Sequence, residues 1–471
     1  MITALYNPQH RRWLLEQSKA LLEFARKAKV PFGFAYLDQH GEIDPDQPIH
    51  TWISCRMTHI YSIGTLMGVA GCRELAEHGV QALLEHIQDH AHGGFFEALA
   101  LEPGPDGRAV PTETGGQKSA YAHAFVLLAA SSGLLAGIAR ADELFERISR
   151  IIDQRFWDEK CGRMRESFSR DFSVCEPYRG MNANMHTVEA CLAAFDAQRA
   201  QSAAKGGTGS PDAGLPVHGQ DPDTGGRQTL RWLQRANSIT HFAFMLAERN
   251  DYRLPEHFDE DWQTIRDYNE HDKAHPFRPY GATVGHALEW ARLGAHVLRM
   301  NESQGLESPI DYTRIAFGLY RQALHNWHGD GAEGFVYTTD FDGNPIVRDR
   351  MHWVLCEAIG ACVALDAITA DDPPPGESGR AQGYVEAALG NEFSYWYEIF
   401  MAYAARHLIE RAGRWTHQLD ADNRPGSGVW SGRPDIYHAF QCLMLPLLPF
   451  GHSITAAVKA AVKADQNLCG S

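Results

Sequence analysis

The sequence predicts an all-α protein that folds as an (α/α)6 barrel, with short β-hairpins in the loops at one end. Two observations carry this prediction. Helical segments that are apolar on nearly every face alternate with amphipathic ones along the chain, as expected when an inner ring of helices packs inside an outer ring. The polar residues that begin the apolar segments also recur at similar intervals, which is typical of repeated helical pairs. We therefore expect residues 1–471 to form a single domain.

The apolar segments predict the six inner helices. They lie at 52–70, 120–130, 182–195, 281–293, 352–365 and 437–447. The amphipathic segments predict the six outer helices, which lie at 14–28, 74–90, 141–156, 228–248, 312–326 and 386–412. Turn residues such as Asp342-Gly343 predict hairpins in the connecting loops. These hairpins are expected at 162–172, 335–347 and 415–429.

The polar residues at the helix starts support the repeat. Arg56, Tyr121 and His186 follow one another at intervals of 65 residues, whereas His286 follows His186 after 100. The longer interval contains a stretch rich in Gly, Ser and Pro at 203–226, and a Pro-rich stretch lies at 371–379. Because neither stretch has enough apolar residues to pack, both are predicted to be flexible surface insertions.

Composition excludes several classes of partner. The net charge is -16, from 43 Lys and Arg against 59 Asp and Glu, which disfavours binding to nucleic acid or to an anionic membrane surface. The nine cysteines are odd in number and never form Cys-x-x-Cys, which indicates reduced thiols. With no signal-type segment and no run of membrane-spanning length, we expect a cytoplasmic protein. The sequence leaves monomer and homo-oligomer open.

The segment 281–293 is the strongest candidate for a functional site. Gly281 and Gly285 precede a helix, so His286 falls in its first turn. Glu289 is three residues further along and shares a face with His286, where its carboxylate can hold the imidazole or share a ligand with it. His438 begins the last inner helix in the same way. An imidazole in the first helical turn is favoured in its neutral form and is ready to accept a proton.

Other residues at helix starts complete the predicted pocket. They are Arg56, His59, Tyr121, Asn182, His186, Glu289, Trp353 and Glu357. Each one taken alone is equally consistent with a hydrogen-bonded group in the barrel wall, particularly His59 and Tyr121. Their joint placement instead predicts a pocket in which His286 and His438 face each other across a ligand and transfer protons to and from carbon.

Two other kinds of chemistry remain open. His186-x-x-Glu189 and His286-x-x-Glu289 resemble a two-metal carboxylate site, but bundle sites of that kind use Glu-x-x-His and more carboxylates, so we expect no metal. A glycoside hydrolase needs two carboxyl groups, and the candidates are Glu97, Glu189, Glu289 and Glu357. The excess of histidines at the helix starts counts against it. A sugar-binding barrel without catalytic activity is a further alternative.

Several motifs resemble the N-acylglucosamine 2-epimerase superfamily, and more narrowly its aldose-ketose isomerase branch. They are Arg56-Met57-Thr58-His59, Asn182 with His186, Gly285-His286-Ala287-Leu288-Glu289-Trp290, His352-Trp353 with Glu357, and Pro434-Asp435-Ile436-Tyr437-His438. The match runs from about Trp52 to Leu447. One departure is His352-Trp353, where the isomerases of this branch carry two tryptophans.

The resemblance implies an (α/α)6 barrel, a monosaccharide substrate, no metal or nucleotide cofactor, and catalytic histidines at His286 and His438. It also implies sugar contacts from the other pocket residues. We expect D-mannose to be converted to D-fructose through a cis-enediol. Sulfoquinovose is an alternative that requires a cationic cradle for its sulfonate, for which Arg56 and Arg278 are candidates. The second alternative is a 2-epimerase that acts on an N-acylglucosamine or on cellobiose.

Overall fold

The computed structural model describes residues 4–205, 224–370, 382–464 and 468. Outer and inner helices alternate within these ranges, odd-numbered helices lying outside and even-numbered helices inside. In chain order they are α1 (Pro8–Phe24), α2 (Thr51–Leu66), α3 (Cys72–Ala82), α4 (Ala120–Ala136), α5 (Ala141–Ile151), α6 (Met181–Lys205), α7 (Thr224–Arg249), α8 (Val284–Ser303), α9 (Tyr312–Leu324), α10 (His352–Ala370), α11 (Gln382–Tyr403) and α12 (Tyr437–Met444). The predicted (α/α)6 barrel is confirmed.

The inner helices form a closed ring. Each inner helix packs against the next inner helix along the chain, and α12 contacts α2, which closes the ring. The outer helix α1 packs against both α12 and α2 at this point. Composition explains which helices lie inside. α4 is built from Ala, Leu, Val and Phe, and nearly all of its residues are buried. α5 instead buries one face, including Leu144 and Ile148, and presents charged residues to solvent.

Short strands fix the start of five inner helices. A two-residue strand immediately precedes each of these helices and pairs antiparallel with a strand that follows the next outer helix along the chain. The pairs are Ile49–His50 with Ala98–Leu99, Lys118–Ser119 with Ser167–Phe168, Arg179–Gly180 with His257–Phe258, Ala282–Thr283 with Thr338–Thr339, and Arg350–Met351 with Gln418–Leu419. Neighbouring repeats are therefore joined by backbone hydrogen bonds at the end where the inner helices begin.

The remaining strands are local. Lys29–Val30 pairs with Gly33–Phe34, Trp157–Asp158 with Arg163–Met164, Ile409–Arg411 with Arg414–Trp415, and Pro345–Val347 with Thr338–Thr339. The hairpin predicted at 335–347 is confirmed by this last pair. In the hairpins predicted at 162–172 and 415–429, Ser167–Phe168 and Gln418–Leu419 instead have their partners in other loops. Periodicity within one segment carries no information about such distant pairing.

A thirteenth helix, absent from the sequence prediction, covers the far end of the barrel. α13 (Ile454–Lys463) packs against α2, α4 and α6. Thr455 Oγ1 lies 3.0 Å from Ser132 Oγ, and Lys459 Nζ donates to the carbonyl of Leu135 at 2.6 Å. Both contacts are with the last turns of α4, so the hollow of the barrel opens at the other end, where the inner helices begin.

The predicted lack of a membrane-spanning run needs correction, and most of the two predicted insertions cannot be compared with the described residues. The run His352–Thr369 does have the length and apolar composition of a membrane span, contrary to the prediction, but it belongs to inner helix α10 and is mostly buried against its neighbours. Residues 203–205 and 224–226 of the insertion predicted at 203–226 are helical, contrary to the prediction. The remaining residues of this insertion and the whole of 371–379 lie outside the described residues.

Candidate active site

A cavity of about 720 Å³, partly open to solvent, lies at the end of the barrel where the inner helices begin. This volume includes open solvent at the mouth. A concave pocket with a few converging polar groups is the usual form of a site for a small organic ligand. Eight of the ten predicted site residues line it, namely Arg56, Tyr121, Asn182, His186, His286, Glu289, Trp353 and His438. The other two, His59 and Glu357, do not line it. One hollow therefore receives side chains from all six inner helices.

His286 is held by a carboxylate that the sequence did not predict. It is the third residue of α8, and its Nδ1 lies 2.7 Å from Glu256 Oε2. The other oxygen of Glu256 accepts a hydrogen bond from the backbone N–H of Thr283, just before the helix, at 3.2 Å. Burial raises the pKa of Glu256, but the charge of His286 and its hydrogen bond lower it to a net value below its usual range. The prediction that Glu289 holds the imidazole of His286 is therefore wrong, whereas the alternative that the two residues share a ligand stays a prediction.

His438 has a matching carboxylate partner. It is the second residue of α12, and its Nδ1 lies 2.9 Å from Glu357 Oε1. The second oxygen of Glu357 accepts from Arg292 Nε at 2.7 Å. Glu357 therefore lies behind the imidazole, away from the cavity. Because a carboxylate only accepts hydrogen bonds, the Nδ1 of both histidines carries the proton, and their Nε2 lone pairs are free to act as bases.

Trp353 lies between the two histidines. Its ring centroid is 5.2 Å from that of His286 and 5.7 Å from that of His438. Gly285 makes room for the indole, since a Cβ at this position would overlap the Trp353 ring. The two imidazoles thus approach the same cavity beside one aromatic side chain.

Arg56 is buried in an aromatic cage at the cavity wall. Its guanidinium lies 4.5 Å from the ring centroid of Phe125 and 4.6 Å from that of Tyr437. It donates to Asp435 Oδ2 and to the hydroxyl of Tyr121, both at 3.1 Å. Burial works against its charge, but the nearby Tyr121 and Asp435 raise the pKa of Arg56 above its ordinary value. Arg56 is therefore a fixed cation whose charge is balanced by Asp435.

Four buried polar atoms of cavity-lining residues have no hydrogen-bond partner in the described structure. They are Arg56 Nε, Asn182 Oδ1, His186 Nδ1 and Glu289 Oε2. His186 Nδ1 lies 3.7 Å from Glu189 Oε2 and from Glu289 Oε1, too far for a hydrogen bond. Burial, followed by the charge of Glu357, raises the pKa of Glu289 well above its ordinary range, which favours the protonated form that can donate a hydrogen bond. Because buried polar groups normally find partners, these atoms are matched to a ligand with several hydroxyl groups.

The same region contains the one group of side chains in the described residues whose donor atoms are close enough to hold a metal ion. The ligand atoms of His186, Glu189 and Glu289 lie within 4.8 Å of one another. Competing partners surround them. Tyr437 and Gln441 donate to Glu189, and Arg292 Nη2 lies 3.5 Å from Glu289 Oε1. A cation would compete with that guanidinium, so hydrogen bonding is the better use of this group.

His59 lies deeper in the barrel than the other predicted residues. Its Nδ1 is 2.6 Å from Ser132 Oγ, which in turn contacts Thr455 of α13. It lines a second, smaller cavity, which Glu189 and Arg292 also line. Burial lowers the pKa of His59 to about 4, so the ring is neutral and belongs to the hydrogen-bonded interior.

A pair of stacked histidines forms another part of the cavity wall. The ring centroids of His352 and His417 are 3.8 Å apart with an interplanar angle of 22°. His352 Nδ1 lies 3.1 Å from the carbonyl oxygen of His417 and so carries a proton that it donates. Burial lowers the pKa of His352 to about 3 and that of His417 well below its usual range. This side of the cavity is aromatic, polar and uncharged.

Comparison with known proteins shows which family has this architecture. The sequence profile of the N-acylglucosamine 2-epimerase (GlcNAc 2-epimerase) family matches residues 33–204 and 224–442. The chain belongs to this family. It is 42% identical to a D-mannose isomerase from Thermobifida fusca over 95% of this chain and 97% of that protein. It is 36% identical to a D-mannose isomerase from Pseudomonas cannabina pv. alisalensis, over 96% of each chain.

Solved structures show the same fold for this epimerase-family chain. A D-mannose isomerase superposes with a TM-score of 0.74 at 24% identity and covers 94% of this chain and 98% of its own. The cellobiose 2-epimerase from Spirochaeta thermophila gives 0.67 at 19% identity, covering 93% and 96%. A family 76 glycoside hydrolase, a mannosidase from Bacteroides thetaiotaomicron, gives 0.54 at 9%, covering 96% and 100%. The fold is thus shared with hydrolases, and only the site distinguishes the chemistry.

Four of the polar residues at or beneath the cavity of this epimerase-family site had no predicted role, although Asp435 lies within a motif quoted for the family resemblance. They are Glu256, Arg292, His417 and Asp435. Glu256 and His417 lie in loops with no periodic pattern. Arg292 follows Glu289 by three residues on the same helix, so helical spacing alone could have placed it on the same face as Glu289. Asp435 lies three residues before His438, at the start of the last inner helix.

Proposed function

We propose that this protein is a cofactor-independent aldose-ketose isomerase that converts D-mannose to D-fructose. The observation that carries the proposal is the pair of histidines, each with a buried carboxylate on Nδ1, that line one cavity beside Trp353. Two imidazole bases on one small ligand suit proton transfer between neighbouring carbons. The identity to D-mannose isomerases supports this choice of sugar.

The reaction begins with ring opening. His286 Nε2 accepts the proton of the sugar O1 hydroxyl and returns a proton to the ring oxygen as the C1–O5 bond breaks. His438 Nε2 then removes the proton from C2, and the electron pair of that C–H bond forms the C1–C2 double bond. The C1–O1 double bond becomes single as O1 takes a proton from the carboxyl of Glu289, which gives a cis-enediol. Arg56 stabilises the negative charge that develops on oxygen, a task that preorganised donors perform well in a dry site.

The second half reverses these transfers on the adjacent carbon. The O2 hydroxyl gives its proton to the carboxylate of Glu289 as the carbonyl forms at C2, and the protonated His438 delivers its proton to C1, which gives the ketose. Glu289 and His438 thereby return to their starting protonation states. Return of the proton to the opposite face of C2 would give the epimer, so a 2-epimerase is the alternative within the same chemistry.

The site favours a neutral sugar over sulfoquinovose. Both proposed sulfonate ligands are already engaged, since Arg56 pairs with Asp435 and Arg278 donates to both oxygens of Glu176 at 2.7 and 3.0 Å. The stacked His352 and His417 add no charge to the cavity wall. A hexose needs only hydroxyl recognition, which the unpaired atoms of Asn182, His186 and Glu289 offer.

The site also disfavours glycoside hydrolysis. Among the four candidate carboxyls only Glu289 lines the cavity within the described residues, because Glu189 and Glu357 are engaged beneath it and Glu97 accepts from Ser119. Asp435 also lines the cavity, but it neutralises Arg56. Two carboxyls flanking a scissile bond are therefore not assembled here.

The test is incubation with D-mannose, sulfoquinovose, N-acetylmannosamine and cellobiose in D2O, with and without chelator, followed by NMR. We expect fructose from mannose, deuterium at C1 or C2, and no effect of chelator. A monosaccharide product from cellobiose would support a hydrolase instead, and the absence of any exchange would support a binding protein.

We also propose that the protein acts in the cytoplasm, since the eight cysteines in the described residues are all free thiols.

A further inference from the structure

Arg292 is a buried cation that the reaction scheme above does not use. It lies on α8 beneath the cavity, and only 4% of its surface is exposed. Its Nε donates to Glu357 Oε2 at 2.7 Å, and its Nη2 lies 3.5 Å from Glu289 Oε1. Arg292 therefore contacts the carboxylate that holds one catalytic histidine and the acid that faces the ligand.

We propose that Arg292 is a positioning residue that keeps Glu357 ionised and thereby fixes which nitrogen of His438 faces the substrate. This inference rests on the proposed isomerase function, because it assigns a task to His438. Arg292 itself touches no reacting atom. It acts on the reaction through Glu357 and His438.

The distribution of charge supports this role. Glu189, Glu289 and Glu357 are buried around Arg292, and three buried anions near one cation are unfavourable. One carboxyl is therefore expected to retain its proton. Arg292 lies closer to Glu357 than to Glu289. Burial raises the pKa of Glu357, but Arg292 and His438 lower it to a net value below its usual range, whereas the pKa of Glu289 is raised by burial and by Glu357.

The ionisation of Glu357 determines the tautomer of His438. An ionised carboxylate accepts hydrogen bonds and has no proton to give, so His438 Nδ1 carries the hydrogen, and Nε2 has a lone pair for the C2 proton. A protonated Glu357 would donate to Nδ1 instead. His438 would then present an Nε2–H group to the sugar, and an N–H group cannot remove a proton from carbon.

Arg292 packs tightly against α10 at Gly360. Gly360 lies opposite on α10, and a Cβ added there would be 2.9 Å from Arg292 Cδ and 3.1 Å from Leu445 Cδ1. The position of the guanidinium relative to Glu357 therefore depends on a glycine one helical turn below the carboxylate. Gly360→Ala would displace Arg292 while every charged group is kept.

Other ionisable groups act on Glu357, His438 and Arg292 from the surrounding helices. They are Arg56 on α2, His186 and Glu189 on α6, Glu289 and His296 on α8, His352 on α10, His417 in a loop, and Asp435, which lies before α12. These groups are retained in every variant below. A shift in pH dependence after substitution of Arg292 therefore reports the loss of its own charge.

The experiment compares Arg292→Met, Arg292→Lys and Gly360→Ala with wild type, by measuring kcat and KM for D-mannose across pH. Loss of the cation raises the pKa of Glu357, so Arg292→Met should move the acid limb of kcat to higher pH. We expect kcat near neutral pH to fall about 10²-fold, in line with the loss of a positioned base, and KM to change by less than about twofold. Arg292→Lys should keep the wild-type acid limb, and Gly360→Ala should lie between the two.

A double-mutant cycle with Glu357→Gln tests whether the effect passes through the carboxylate. If Arg292 acts only on Glu357, adding Arg292→Met to the Glu357→Gln variant should reduce kcat further by less than about twofold. Arg314→Met, which removes an exposed arginine paired with Glu248, is the matched control and should leave kcat and the acid limb unchanged.

Three results would overturn the inference. They are near-normal kcat in Arg292→Met, a lower kcat with an unmoved acid limb, and full additivity with Glu357→Gln. If Arg292→Met does not fold, as judged by circular dichroism, Gly360→Ala carries the same test and must show the shifted acid limb. A wild-type protein that does not isomerise mannose would instead contradict the proposed function, so the two failures are distinguishable.

Discussion

Glu256 and His286 are 30 residues apart in the sequence, and 2.7 Å separates the carboxylate Oε2 from the imidazole Nδ1. Glu357 and His438 repeat this relationship 81 residues apart, at 2.9 Å. The two dyads are built from different elements, since Glu256 comes from a loop and Glu357 from an inner helix. Both leave Nε2 free for the cavity, so the site contains two bases of the same tautomer.

Removal of either base should abolish turnover. His286→Ala and His438→Ala are each expected to lower kcat for D-mannose by about 10²-fold or more, because a positioned base contributes roughly 10²- to 10⁴-fold. His92→Ala, which changes an exposed histidine, is the control and should be unaffected. Turnover within a few-fold of wild type in either variant would refute the assignment, provided that circular dichroism shows an intact fold.

Glu256→Gln tests the unpredicted dyad. A glutamine has an N–H group that can donate to Nδ1, and that hydrogen bond favours the wrong tautomer of His286. We expect kcat to fall about 10-fold or more, with the thermal midpoint little changed because the side chain keeps its shape. Steady-state kinetics and a melting curve measure the two effects. A wild-type kcat would show that His286 does not depend on this partner.

The pH dependence of kcat follows from His438. Burial lowers the pKa of His438 from its ordinary value of 6.5, although the hydrogen bond to Glu357 opposes this shift. A base must be neutral to act, and a lowered pKa keeps it neutral in more acidic solution. The acid limb of the kcat profile should therefore lie below pH 6.5. A limb above that value would contradict the neutral state assigned to this residue.

Glu289→Gln distinguishes a protonated from an ionised carboxyl. Because burial raises the pKa of Glu289 well above its ordinary range, the amide replaces one neutral donor with another. We expect KM for mannose to rise by less than about tenfold, whereas Glu289→Ala, which removes the donor and leaves a buried void, should raise it further. Substrate titrations of both variants measure this difference. If glutamine is as damaging as alanine, the carboxyl is ionised in the working enzyme.

The sequence predicted the barrel because inner helices are apolar all round and carry their polar residues in the first turns. Those first turns all lie at one end of a closed ring, which is why Arg56, Tyr121 and His286 meet. The same reasoning did not find Glu256, since a loop residue has no period to place it. It also assigned Glu357 to the ligand, because helical spacing gives the face of a side chain but not which neighbour lies between it and the cavity.

The strand pairs were beyond prediction for a related reason. Each joins two loops separated by an inner and an outer helix, and two residues are too few to show an alternating pattern. α13 was missed as well. It contributes no side chain to the active-site cavity, so it lacks the polar first turn by which the inner helices were predicted.

All inner helices begin at the cavity and run away from it. α6 begins at Met181 and ends at Lys205, and α7 begins at Thr224. At a rise of about 1.5 Å per residue, the last residue of α6 is more than about 30 Å from the first. A peptide that binds a solid support, inserted between these two helices, would therefore attach the enzyme by the end opposite the cavity. The cavity of the immobilised enzyme would then stay open to the sugar in solution.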